Sequence, residues 1–176
     1  MVLYKTFHKL ELTFNKIMLK ISKLADYGTV IMHYLARWPN QAFSAAQVAQ
    51  QVQMKAPTVS KVLKLLSGAE LVVATRGAGG GYRLARPAKE ISIAEVIAAI
   101  ERAPALTECS LGNNICAQDM DCPIKDNWRL INRLIVETLQ SVTLHDMTQP
   151  LAQQPLLVNR LKVKLQAAAQ SQNSCV

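Results

Sequence analysis

SAAQVAQQVQMKAPTVSKVLKLLSGAELVVATRGAGGGYRLARP, residues 44–87, holds the reading on which the fold depends. Ser44 followed by Gln47 is a capping-box pattern, in which each side chain satisfies a backbone N–H of the other residue. Val48, Ala49 and Val52 then share one face of a short helix. A turn over 53–56 leads directly into a second helix. Pro57 suits a first helical position, where its fixed φ fits and its missing N–H costs nothing. Val59, Val62, Leu63 and Leu66 recur at helical spacing as an inner stripe, and Gly68 is the expected left-handed terminator. Pro57, Ser60, Lys61 and Lys64 fall on the opposite face. Two β-prone runs, 71–75 and 82–85, then flank a glycine-rich tip and predict a hairpin. Two short helices in tandem and a basic hairpin are the parts of a winged helix-turn-helix. In that arrangement the second helix enters the major groove of duplex DNA, and the hairpin lies along the backbone or the minor groove.

At the tip, Gly77, Gly79, Gly80 and Gly81 permit positive φ and a close approach of the backbone to another molecule, with Arg76 and Arg83 on either side. A nucleotide-binding glycine loop needs a strand before it and a helix after it, and this run sits between two strands. The candidate DNA contacts are therefore Ser60, Lys61 and Lys64 on the helix and Arg76, Gly79, Gly80, Tyr82 and Arg83 on the wing.

Upstream, Leu24, Tyr27, Ile31, Tyr34, Leu35 and Trp38 form a helical stripe that Pro39 stops. Downstream, Ser92 and Glu95 make another capping box, opening a helix with Ile93, Val96, Ile97 and Ile100 as its core face and ending before Pro104. Residues 105–122 have no helical period and read as an exposed loop carrying Cys109, Cys116 and Cys122. From Pro123 onward, Ile124, Trp128, Ile131, Ile135, Thr138 and Val142 follow one another at alternating steps of four and three, close to a coiled-coil seam. A homodimer over residues 123–145 is the natural way to bury it. The fold class is thus mainly α with a small β-hairpin. The division is 1–17 an N-terminal extension, 18–103 the winged helix-turn-helix domain, 104–122 the cysteine loop, 123–150 the dimerisation helix and 151–176 a C-terminal tail.

With 176 residues, half of them hydrophobic, and only 18% charged, the chain has the composition of one folded domain with an appendage. No apolar run approaches the roughly 20 residues a membrane span needs. The opening MVLYKTFHKLELTFNKI carries charges throughout, unlike a signal peptide, so the expected compartment is the cytoplasm. The net charge of +8 is unevenly placed: residues 18–90 hold ten Lys and Arg against three acids, residues 91–176 seven against eight. Such a basic segment suits a polyanion partner, because each phosphate neutralised releases condensed counterions. The three His assemble no nucleophile and base, so an enzyme is not expected.

The cysteines pose the sharpest chemical question. Their spacing is C-x6-C-x5-C, without the close pairs that build zinc knuckles. A reducing compartment argues against disulfides, and spacing leaves an iron-sulfur cluster, a zinc site and unliganded thiols open. The loop supplies no fourth thiol, since Cys175 lies at the far terminus.

MLKISKLADYGTVIMHYLA (18–36), APTVSKVLKLL (56–66), RGAGGGYRLARP (76–87), ISIAEVIAAIE (91–101), the three-cysteine loop and TLHDM (143–147) together resemble the iron-sulfur winged-helix regulators of the Rrf-two (Rrf2) family. Among them, the chain is most similar to regulators of SUF-type cluster assembly. The resemblance covers about residues 18–151. It implies a homodimer of crossing long helices that binds a double-stranded DNA operator, with Cys109, Cys116 and Cys122 holding a 2Fe-2S or 4Fe-4S cluster that controls binding. It also implies a source for the fourth ligand: in some relatives a carboxylate in the first helix of the partner subunit serves, and the matching position is Asp26. In others a His three residues after the third cysteine does so; that position is Lys125, which cannot ligate while protonated. The function implied is repression of cluster-assembly genes according to cluster state. The competing reading is a cluster-free repressor whose cysteines sense thiol chemistry or hold zinc.

Overall fold

A computed structural model describes residues 21–77, 79–101, 105–112, 115–117 and 121–150. The extension over 1–17 and the whole C-terminal tail over 151–176, with Cys175, lie outside them. The order of elements is α1 (Lys23–Ala36), α2 (Ala45–Gln51), α3 (Ala56–Gly68), β1 (Val72–Thr75), β2 (Gly81–Leu84), α4 (Ile93–Ile100), α5 (Lys125–Ser141) and α6 (Leu144–Thr148), with short 3-10 turns at Ala88–Glu90 and Glu108–Ser110.

Local sequence explains most helix starts. Ser22 caps α1, its Oγ accepting from the Ala25 N–H at 3.2 Å, and the capping boxes of Ser44 with Gln47 and Ser92 with Glu95 are both formed. The two β-strands pair antiparallel in the register Val72 with Leu84, Val73 with Arg83, Ala74 with Tyr82 and Thr75 with Gly81. One core holds these parts together: Ile31, Met32 and Leu35 of α1, Val48 of α2, and Val59, Val62, Leu63 and Leu66 of α3 are buried against Leu71, Val72, Leu84, Ile91 and Val96. Burial of a side chain of this size contributes roughly 1.5–3 kcal/mol each, so the inner stripe of α3 fixes which face of that helix remains outside.

Five expectations need correction. Trp38 is not on the inner stripe of α1; the helix ends at Ala36, and the indole lies two residues beyond, half exposed. Gly68 is the last residue of α3 without a left-handed φ, and the chain turns instead at Glu70, with φ 58°. In the wing, Gly77 alone among the described glycines of the tip takes positive φ, 111°. Gly81 is required by its own chain: a Cβ there would lie 2.6 Å from the Phe43 backbone, because Phe43 and Tyr82 exchange two backbone hydrogen bonds of 3.0 and 2.8 Å. The cysteine segment is not wholly exposed, since Cys109 is buried within a 3-10 turn. Finally, the long helix stops at Ser141 rather than running to 145 or 150. Val142 is extended, Thr143 caps a separate short helix, and Leu144 is fully buried in the winged domain's core.

The Phe43–Tyr82 bridge yields a stability prediction. Gly81→Ala must move backbone, not a flexible side-chain end, so the wing and the α2 entry are pushed apart. Overpacking of this kind costs about 1–3 kcal/mol, and thermal denaturation should show a clearly lowered Tm. Gly79→Ala, with open space around its would-be Cβ, should leave Tm unchanged.

The end of the wing is tied to α4. Arg86 donates to Glu95 and to the Glu90 carbonyl, and Ser92 N–H and Oγ also donate to Glu95, at 2.8 and 2.9 Å. Burial pushes the Glu95 carboxyl up, but these bonds from Arg86 and Ser92 outweigh it and hold the group below the usual carboxylate range. No helix among the described residues is long and apolar enough to cross a membrane.

Candidate nucleic-acid interface and cysteine segment

The helix-turn-helix geometry follows from the turn between α2 and α3. Gln53 takes φ 54°, and the Met54 N–H donates to the Ala49 carbonyl at 3.0 Å, reversing the chain within a few residues. Helix α3 thereby starts at Ala56 with Pro57 in its first turn. Its outer face carries Pro57, Ser60, Lys61 and Lys64, all exposed, opposite four residues that are fully buried. Beyond it, Arg76 and Arg83 are exposed on the wing, while Gly80 and Tyr82 are half-buried where the hairpin meets Phe43. Neither Lys61, Lys64, Arg76 nor Arg83 has an acidic partner among the described residues, whereas Arg86 is paired with Glu95. Cations left unpaired on a convex helix face and a neighbouring hairpin form a surface suited to phosphate contacts. Sequence reasoning missed Phe43, which anchors the wing from outside the hairpin; its ring also packs on Tyr34, with centroids 5.0 Å apart. A single β-bridge residue between helices leaves no periodic signal.

The cysteine segment begins against α5. The Leu106 N–H donates to Asn132 Oδ1 at 3.0 Å, and Arg129 Nε donates to the Cys109 carbonyl at 3.0 Å. Thr107 Oγ1 lies 3.1 Å from the Cys109 sulfur. Together with Arg133 and Val136, the turn and the helix line a cleft of about 420 Å³. Cys116 and Cys122 are half-buried, and all three thiols are free of disulfides. Asp26 is exposed in the first turn of α1, a position that the helix dipole favours for a negative charge. Among the described residues, the three cysteines and Asp26 are not gathered into one metal-binding group. The donor set still fits an iron-sulfur cluster in its chemistry: three reduced thiols within fourteen residues are soft ligands of the kind such clusters take.

Helix α5 has a second, uncovered face. Ser141 is its one buried residue; Trp128 and Ile131 are 37% and 42% exposed, and Ile124, at its N-cap, is 52% exposed. Leu111 and Ile115 of the cysteine segment are also exposed.

The sequence profile of the Rrf2 family, described as an iron-dependent transcriptional regulator, matches residues 21–150. An HTH-type transcriptional regulator, NsrR of Oceanobacillus iheyensis, is 31% identical over 134 residues, which cover 73% of this chain and 89% of that protein. Among solved structures, IscR of T. potens superposes with a TM-score of 0.58 at 28% identity, covering 74% of this chain and 86% of that one. CymR, the global cysteine regulator of B. subtilis, superposes with a TM-score of 0.61, also at 28% identity, covering 74% and 97%.

Proposed function

The chain belongs to the Rrf2 family of DNA-binding transcriptional regulators, and from that premise we propose that it senses an iron-sulfur cluster and represses cluster-assembly genes of the SUF type. The observation that carries this reading is the three-thiol segment that leads into α5 and is bonded to it at Cys109. Residues 104–122 form the sensor, 18–103 the DNA-binding domain and α5 the core of a homodimer. Ser60, Lys61 and Lys64 meet the groove, and Arg76, Gly79, Gly80, Tyr82 and Arg83 meet the flanking backbone of a duplex operator. The proteins it matches are regulators and not enzymes.

In this reading Cys109, Cys116 and Cys122 hold the cluster, 2Fe-2S or 4Fe-4S, and Asp26 of the partner subunit supplies the fourth ligand. The bound cluster provides a redox- and iron-sensitive link whose loss alters what the segment can hold. Carboxylate is a harder and more exchangeable ligand for iron than thiolate, which suits a site that must release its cluster. Regulation then requires that cluster and operator favour different arrangements of the dimer, since a ligand that fits both equally shifts nothing.

A cluster-free reading is favoured by one observation, the similarity to CymR, a regulator named for cysteine rather than iron. Anaerobic preparation of single-site variants separates the two. Cys109→Ala, Cys116→Ala and Cys122→Ala should each abolish visible absorption, Cys175→Ala should retain it, and Asp26→Ala should give a labile or spectrally altered chromophore. A normal chromophore in Cys116→Ala would defeat the three-cysteine assignment.

A further inference from the structure

Helix α5 grips the cysteine segment with two side chains one turn apart. Arg129 Nε donates to the Cys109 carbonyl and Asn132 Oδ1 accepts from the Leu106 N–H, each at 3.0 Å. Between these anchors Thr107 closes the turn from within, its Oγ1 lying 3.1 Å from both the Cys109 sulfur and Ser110 Oγ. An exposed loop has no need of such bonds, because water would serve its backbone groups equally well. Here they seat the buried thiol against the helix.

The placement around α5 gives the grip a consequence. At about 100° per residue, Arg129 and Asn132 lie roughly a quarter-turn from the apolar stripe of Trp128 and Ile131, both exposed, and the half-buried Ile135. At the other end of the same helix, Leu139, followed by Val142, packs on Ala25, Ile93 and Ile97 of the winged domain. One rigid rod therefore touches the ligand turn, the apolar stripe and the floor of the DNA-binding domain. Resting on the cluster reading above, we propose that Arg129 and Asn132 are positioning residues. They hold Cys109 in its ligating place and carry a change at its sulfur into α5, and so into the spacing of the recognition helices.

The full-length protein tests this in two arms. In the reduced, cluster-free protein, alkylation of Cys109 followed by peptide mass spectrometry reports how often its turn opens. Asn132→Leu keeps shape but removes the acceptor, and Arg129→Met keeps the stem but removes the donors. Each should speed Cys109 modification about tenfold, as expected for a lost hydrogen bond, while leaving Cys116 and Cys122 rates unchanged. Asn132→Asp, which retains an oxygen acceptor, should restore the slow rate. In the second arm the ratio of operator affinities with and without the cluster should fall toward one in Asn132→Leu, with the cluster-free affinity and the sedimentation behaviour unaltered. A cluster-bearing protein whose two variants keep both the Cys109 protection and the full affinity ratio would overturn the positioning role alone. An unmodified protein that takes up no cluster would overturn the sensing reading on which the transmission rests.

Discussion

Lys61→Ala combined with Arg76→Ala should weaken operator binding about 100-fold at moderate salt and lower the salt dependence of the affinity. Both side chains are exposed and neither touches the core, so the variant should melt at the temperature of the unmodified protein. Lys61 stands on α3 directly behind Val59 and Val62, which are buried; the core orients the helix, and the outer face has no other packing duty. Arg76 lies just past the end of β1, which pairs with β2, the strand that Phe43 bridges at Tyr82. Loss of a base-edge contact costs roughly 1–3 kcal/mol and a phosphate contact somewhat less, and a two-fold complex loses each contact twice. Fluorescence anisotropy on a palindromic duplex selected from a random pool measures the change. Equal affinities for the variant and the unmodified protein would remove α3 and the wing from the interface.

A charge at the centre of the α5 stripe has the other large effect. Ile131→Asp should convert the dimer to a monomer in sedimentation experiments and abolish operator binding with it. The physical reason is the uncovered face of Ile124, Trp128 and Ile131. Apolar area removed from water contributes about 25 cal/mol per Å², and a carboxylate in the same place brings a desolvation cost instead. Because a single winged domain meets only one half-site, a monomer loses the joint binding of two, and the affinity falls by orders of magnitude. Secondary structure should survive, since the core of the winged domain draws nothing from Ile131.

Much of this architecture is written locally. Ser44 with Gln47 and Ser92 with Glu95 mark helix starts within four residues, and the stripe of Val59, Val62, Leu63 and Leu66 identifies both the helix and its buried face. What escaped is set by distant partners. The stop at Ser141 depends on Val142 and Thr143 pairing with the segment before α4: Ile93 N–H donates to the Val142 carbonyl at 2.9 Å, and Leu144 N–H donates to the Ile91 carbonyl at 2.7 Å. The seam pattern runs straight through that break, because Val142 keeps its spacing while its role changes from seam to linker. A capping box of Thr143 with Asp146 is formed there, and its Asp, where Glu or Gln is usual, hid the signal. Gly81 invited a functional reading in the sequence, whereas its close approach to Phe43 has a structural cause. For the candidate site, residue types were legible at Cys109, Cys116 and Cys122, but the burial of Cys109 under Arg129 was not, since nothing local links residues twenty apart.

The central claim joins a cysteine-held cluster to DNA binding, and one titration addresses it directly. Protein prepared without oxygen is assayed for iron and acid-labile sulfide, then titrated onto the selected duplex before and after the cluster is stripped by a chelator under reducing conditions. The account predicts a brown protein containing both elements and operator affinities that differ at least about tenfold between the two forms, a coupling within the usual range for linked sites. A colourless protein containing zinc, or a brown one whose affinity is the same with and without its cluster, would contradict it.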